Sequence, residues 1–252
     1  MSNTFHTVFV AGATGAIGSR LVSMLVERGH RVFGTTRAAG PREQLISQAG
    51  AIPVVADVFD RSALIRVLAD INPDVVVHQL TDLPRGLDAS RMEEGVHRNA
   101  RIRREGTANL VAAAQASGAR RIVAQSVAWL YRAGDGPFTE DMPLDLDAQG
   151  LRAVSVAGVL ALEQAVLGAA PVEGLVLRYG QLWGPHTGND SFDGKTMPVH
   201  VDSAAMAATL AVEAGQPGIY NVADGGDVLD TRKARRELGW MPRGLSASRV
   251  QS

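Results

Sequence analysis

The sequence predicts an α/β fold: a doubly wound parallel sheet with a small, shortened C-terminal substrate cap. Three observations carry this. Short β-branched runs alternate with segments of helical period along most of the chain, the first run leads straight into the glycine-rich turn GATGAIG, and 252 residues, 46% of them hydrophobic, suffice for one large core.

The elements follow in order. Thr7–Ala11 reads as a buried strand, and Ile17–Arg28 as a helix closed by Gly29. Strands follow at Arg31–Thr35 and Ile52–Val55, a helix at Arg61–Ala69, a strand at Val75–Gln79, and a long helix over Met92–Ser117 stopped by Gly118. Arg121–Ser126 is a strand, Leu151–Ala169 a helix, Gly174–Tyr179 a strand, Asp202–Ala214 a helix and Gly218–Val222 a last strand. Residues 1–179, completed by 199–222, form the expected core, and 180–198 with 223–252 form the cap. Two Gly-, Pro- and Asp-rich stretches, Asp135–Gln149 and Gly184–Met197, are expected as flexible covers at the rim of the site.

Composition narrows the function. A formal charge of −1 and the lack of any basic run argue against nucleic acid or a membrane surface, leaving a small-molecule partner. With no cysteine there are no disulfides, thiolate nucleophiles or Cys-ligated metals, and no metal site is expected. No leader is evident and no window is expected to approach a membrane span, so the chain is read as cytoplasmic.

The turn after the first strand supplies the ligand. Gly12, Gly15 and Gly18 let the backbone fold sharply and approach a pyrophosphate, while the helix N-terminus offers free N–H groups to the anion. A Rossmann dinucleotide site is therefore expected, with Thr14, Ala16 and Ile17 completing the loop. The second strand ends in Thr35, Thr36 and Arg37, where an NAD protein commonly carries an acid. Arginine there suits a 2′-phosphate, so NADP(H) is the expected cofactor, with Thr36 and Arg37 at that end. Asp57, next to Val58, either accepts from the adenine amino group or caps a turn.

These pieces make the chain resemble an extended short-chain dehydrogenase/reductase of the NAD-dependent epimerase/dehydratase type. The likeness runs through GATGAIG (12–18), ADV (56–58), VVVHQL (75–80), REGTANLVAAA (104–114), RIVAQSVAWLY (121–131), LRYGQLWGP (177–185), VHVDSAA (199–205), GIYNVAD (218–224) and KARRELGWMP (233–242). It implies further cofactor contacts from Gln79, Leu80, Thr81, Ser126, Tyr179 and Leu182, and a homodimer through the long helices. It also implies a tyrosine with a lysine four residues on. Counting back from Glu163, those positions hold Ser155 and Val159, the family's active-site serine position holds Val127, and its asparagine position holds Arg103. The lysines of the whole chain are Lys195 and Lys233, and neither follows a tyrosine by four.

The proton for a carbonyl reduction must then come from elsewhere. Ser126, at the carboxyl end of the fifth strand, and Tyr131 are candidate donors, and Arg103 is a candidate ligand for an acidic or phenolate oxygen. A substrate hydroxyl beside the ketone is another source. Arg98, Arg101 and Arg104 read as a solvated face, His78 and His200 as hydrogen-bonded core histidines, and Trp129 and Trp183 as core packing or walls of an aromatic pocket. The short C-terminal portion disfavours a sugar nucleotide. The sequence thus predicts an NADPH-dependent reductase of a small aromatic or polyketide-like ketone or quinone. A non-catalytic NADP(H) sensor and a flavin or quinone reductase are the alternatives.

Overall fold

The computed structural model describes residues 5–194, 196–225 and 227–243. Seven parallel strands form one sheet in the order β3-β2-β1-β4-β5-β6-β9. They are β1 (Thr7–Ala11), β2 (Arg31–Thr36), β3 (Ile52–Val55), β4 (Val75–His78), β5 (Arg121–Val127), β6 (Glu173–Tyr179) and β9 (Gly218–Val222). The order reverses beside β1, so β1 and β4 diverge at their carboxyl ends and leave the crevice in which such sheets bind ligands.

Strand alternation sorts the core onto two faces. Val8 and Val10 pack with Leu21 and Leu25 of α1 (Ala16–Glu27) and with the alanines of α7 (Val201–Glu213). Phe9 and Ala11 face Leu64 and Leu68 of α3 (Arg61–Ile71), Leu110 of α5 (Thr107–Ser117) and Leu162 of α6 (Gly150–Leu167). Period two in the strands and 3.6 in the helices puts both apolar sets in register.

Four features depart from the sequence expectations. Helix α2 (Pro41–Gln48) was not foreseen: it buries only Ile46, so it lacks an apolar stripe, although Pro41 at its first turn is a start signal. The expected long helix is α4 (Met92–Arg101) joined to α5 through one π turn, Ile102–Gly106. A second, two-stranded sheet pairs β7 (Gln181–Trp183) with β8 (Pro198–His200), so the start of 199–222 belongs to the cap sheet as well as to the core. Finally, α6 is long and apolar enough to cross a membrane by length and composition, contrary to the expectation that no window approaches this. It packs against the sheet and lies so close to α4 that a Cβ on Gly158 would sit 3.0 Å from the Ala100 Cα.

Helix α8 (Arg232–Leu238) closes the described chain, with Trp240 buried and its indole N–H donating to the Ser203 carbonyl at 3.0 Å. The part of the expected cap beyond residue 243 lies outside the described residues. Asp135–Gln149 does not border the crevice: Phe138 pairs with Leu229, and Glu140 accepts from the Asn221 N–H. The other expected cover, Gly184–Met197, does border the crevice.

Candidate active site

The turn between β1 and α1 is built for close backbone approach. Gly12 has φ +93°, and a Cβ there would lie 2.7 Å from the Gln79 carbonyl group. A Cβ on Gly18 would lie 2.0 Å from the Gly12 oxygen. The Gly15 N–H donates to the Gly12 carbonyl at 3.1 Å, and the Gly12 N–H to Thr35 Oγ1 at 3.3 Å, which ties the turn to β2. Helix α1 starts at Ala16 with no side-chain cap, so its first N–H groups face the turn.

A cleft of about 290 Å³ runs from this turn along the carboxyl ends of the strands. Gly12, Thr14, Gly15, Thr36, Arg37, Val58, Gln79, Leu80 and Thr81 border it, together with Arg42 and Phe59, which sequence reasoning missed. Arg42 sits in the first turn of α2 and, with Arg37, puts two cationic side chains at that end of the cleft. Phe59 is backed by the Arg101 guanidinium, 4.1 Å from its ring centre. Gln79 is 4% exposed, and among the described residues neither its amide nitrogen nor its oxygen has a hydrogen-bond partner, though it lies near the Tyr179 hydroxyl. An unpaired buried amide at a cleft wall, beside a glycine cradle, fits a polar ligand such as a nicotinamide dinucleotide.

Two expected cofactor ligands are otherwise engaged. Asp57 caps a turn, its Oδ1 accepting from the Phe59 N–H at 2.9 Å, and does not border the cleft. Ile17 is 4% exposed in the core, so only the backbone at Ala16 and Ile17 serves the helix terminus.

Beyond Thr81 and Leu83 the cleft opens into a second cavity of about 550 Å³. Its apolar wall includes Leu87, Met92, Val96, Trp129 and Leu182, and Thr187, Asn189 and Asp193 of the 184–197 loop border its mouth. Trp183 does not border it and packs edge-on against His200. Val127, Ser155 and Arg103, which the sequence resemblance sets at three catalytic positions, all line it. Val159 does not: it is fully buried with Val127, Leu130 and Val156.

Both expected hydroxyl donors are corrected by the geometry. Ser126 is fully buried and donates to Glu163 Oε1 at 2.7 Å, and the Arg178 guanidinium holds the same carboxylate at 2.9 and 2.6 Å. Strand alternation puts Ser126 on the same face of β5 as Ala124, and it does not border the cavity, which Gln125 and Val127 line instead. Tyr131 donates to Asn221 Oδ1 at 2.7 Å, stacks on Phe138 and lies under Arg178, also away from the cavity. Burial raises its pKa, so it stays protonated. Tyr179 borders the cavity, yet its hydroxyl donates to the Ala204 carbonyl at 3.1 Å, and burial pushes its pKa well up.

His78 is a hydrogen-bonded core histidine. Its Nδ1 accepts from the Leu80 N–H at 3.2 Å, so Nε2 carries the proton and donates to Thr107 Oγ1 at 3.0 Å. Burial, reinforced by the nearby Arg103 charge, lowers its pKa from 6.5 to about 4. The unfolded chain takes up this proton below its ordinary pKa and the folded chain does not. Stability present at neutral pH is therefore lost as pH falls from 6.5 towards 4, by about 2 kcal/mol at pH 5. In His78→Gln the difference in unfolding free energy between pH 7 and pH 5, from urea titrations, should shrink by that amount. An unchanged difference would contradict the assignment.

Known proteins share this architecture. Residues 8–217 match the model of the NAD dependent epimerase/dehydratase family. A 3-diazoavenalumate denitrifying reductase from a Streptomyces species is 42% identical over 240 residues, which cover 86% of this chain and 75% of that protein. The UDP-glucose 4-epimerase of Thermotoga maritima, solved with UDP-glucose, superposes with TM-score 0.77 at 19% identity over 94% of each chain. The Bordetella bronchiseptica enzyme WbmH, solved with NAD+, superposes with TM-score 0.67 at 25% identity over 89% of this chain and 77% of its own.

Proposed function

The chain belongs to the NAD dependent epimerase/dehydratase family, and from that premise we propose that it is an NADPH-dependent reductase that removes a diazo group from a small aromatic substrate. The observation that carries this is that, among the described residues, no lysine lines the cavity and its one tyrosine, Tyr179, gives its hydroxyl proton to the Ala204 carbonyl. Val127 and Val159 stand where the resemblance expects serine and lysine, and Ser126 and Tyr131 are bonded elsewhere. A reaction that needs no proton at the reacting atom suits such a cavity. The Streptomyces reductase supports the choice, being named for a diazo compound.

When bound, NADPH supplies a hydride: the aryl carbon–nitrogen bond of a diazonium breaks as the carbon–hydrogen bond forms, and dinitrogen leaves with the old bonding pair. No proton is consumed. The chain's own part is binding and orientation. The Gly12–Gly18 turn and the α1 N-terminus would hold the diphosphate, Arg37 and Arg42 would hold the 2′-phosphate, and Gln79 would offer its unpaired amide to the ligand. Leu182, Trp129 and Val127 exclude water around the aromatic body.

Reduction of an aromatic ketone or quinone is the second reading, favoured by the Ser155 hydroxyl, which lines the cavity at 8% exposure. Turnover of an aryl diazonium with NADPH deuterated at the transferring carbon separates the two. Deuterium in the ring and one dinitrogen per NADPH are expected, and release of dinitrogen without ring deuterium would rule out the proposal. Tight NADPH binding without consumption by diazonium or carbonyl acceptors would instead indicate a sensor. Replacing Arg37 and Arg42 by serine is expected to raise the KM for NADPH roughly 10- to 100-fold, the equivalent of one charge-assisted hydrogen bond, and to leave that for NADH unchanged. Equal changes for both cofactors would refute the 2′-phosphate assignment.

A further inference from the structure

Arg103 is 6% exposed and lines the substrate cavity. Its neighbours on the same helix run are paired: Arg98 with Asp82 and Glu94, Arg101 with Glu105. Arg103 makes no hydrogen bond or ion pair with any described residue. The one carboxylate close enough to act on it, Glu163, is already held by Arg178 and Ser126. The nearby His78 is neutral. Burial lowers the Arg103 pKa to about 10, so the group remains a cation at neutral pH. A buried, charged, unpaired side chain is costly to fold around and persists where a ligand completes it.

The backbone supports the same conclusion. Arg103 stands in the π turn Ile102–Gly106, whose buried members are Ile102, Arg103 and Gly106, while Arg101 and Arg104 point outward. Such turns add one residue to a helix and recur at functional sites. Arg103 does not border the cofactor cleft, so its anion is not the dinucleotide's diphosphate. By area the remaining wall is mostly apolar; its neutral polar groups include Asn99, Gln125, Ser155 and Gln181, and the carboxylate among its lining residues is the exposed Asp193 at the mouth.

We propose that Arg103 binds a carboxylate of the substrate, so that the protein acts on an aromatic acid whose ring lies against Trp129, Val127 and Leu182. This deepens the reductase reading and rests on it for the position of the acid beside the nicotinamide end. A planar guanidinium fork matches a carboxylate with two parallel hydrogen bonds, and a neutral amide in its place leaves the charge uncompensated.

The test is calorimetric titration of the full chain, saturated with NADP+, using 4-hydroxycinnamate and its primary amide. The wild type is expected to bind the acid at least tenfold more tightly than the amide. Arg103→Gln should weaken the acid about 30- to 100-fold and leave the amide within about twofold, and Arg103→Lys should recover part of the loss. Without acid, Arg103→Gln should melt at or above the wild-type temperature, because it removes an unpaired buried charge; a structural arginine would give the opposite. Equal affinity for acid and amide in the wild type, acid binding by Arg103→Gln at the wild-type level, or a lower Tm for that variant would each overturn the proposal, as would Arg103-dependent binding of UDP-glucose in preference to the acid. NADP+ affinity measured in the same samples reports on the cofactor site. Failure of the reductase reading would show as lost cofactor binding or turnover with the acid–amide discrimination intact.

Discussion

Gly18→Ala is expected to lower affinity for NADPH by at least about 100-fold. The added carbon would lie 2.0 Å from the Gly12 oxygen, 2.9 Å from its carbonyl carbon and 3.2 Å from the Ala13 carbonyl carbon. All three are backbone atoms, so no rotamer change relieves the clash. Either α1 moves away from the turn or the turn opens, and both separate the helix N–H groups from the anion they are placed to meet. Gly15→Ala is the stability control: its φ of −75° is ordinary, and the nearest atom to the new methyl is 3.4 Å away. Fluorescence titration with NADPH checks the expectation, alongside a melt that verifies folding. A Gly18→Ala protein binding NADPH within threefold of wild type would show that the turn is not the diphosphate site.

The largest expected loss of stability comes from Glu163→Gln. The carboxylate is 4% exposed and receives three hydrogen bonds, two from Arg178 and one from Ser126. Arg178 is itself 4% exposed, its other contacts being the Glu140 carbonyl at 3.3 Å and the face of Tyr131. Neutralising Glu163 leaves that guanidinium charged in an apolar setting with only dipoles around it, at a cost of about 3–5 kcal/mol. Ser126→Ala removes one bond to the same carboxylate and leaves the ion pair whole, so its cost is smaller, about 1.5–3 kcal/mol. Urea unfolding of the two variants orders them. A loss below 1 kcal/mol in Glu163→Gln would mean that the pair contributes little to the folded state.

Much of the sheet was legible because its determinants are local. β-Branched runs mark β1, β4 and β5, and three glycines spaced between a strand and a helical period mark a tight strand-to-helix turn. The second sheet was not, since QLW and PVH are three residues each and pair across a 14-residue loop. Helix α2 carries too few apolar residues for periodicity to reveal it.

The candidate site was half legible for a comparable reason. The residue types at 103, 127, 155 and 159 could be read by position, and the three that line the cavity are found together. Where a hydroxyl points could not be read without the strand's neighbours. Ser126 shares its face with Ala124, which lies in the cluster packed against α6, and that parity was available in the sequence. So was a lone acid in an otherwise apolar helix: Glu163 had to find a cation and donors when buried, and Arg178 and Ser126 supply them. No sequence signal marked the π turn, since IRREG has nothing that distinguishes it from an ordinary helical stretch.

That turn has a consequence for how the pocket can change over generations. A helix advances about 100° per residue, so one surplus position swings everything before it by that angle relative to an uninterrupted rod. Whether a guanidinium looks inward at 103 is thus a matter of how many residues lie between Arg101 and Thr107, as much as of which residues they are. Substitutions alone preserve that count. Lineages gaining or losing a single codon here would exchange the lining of one wall in one step, a route to new specificity that leaves the glycine turn and the sheet untouched.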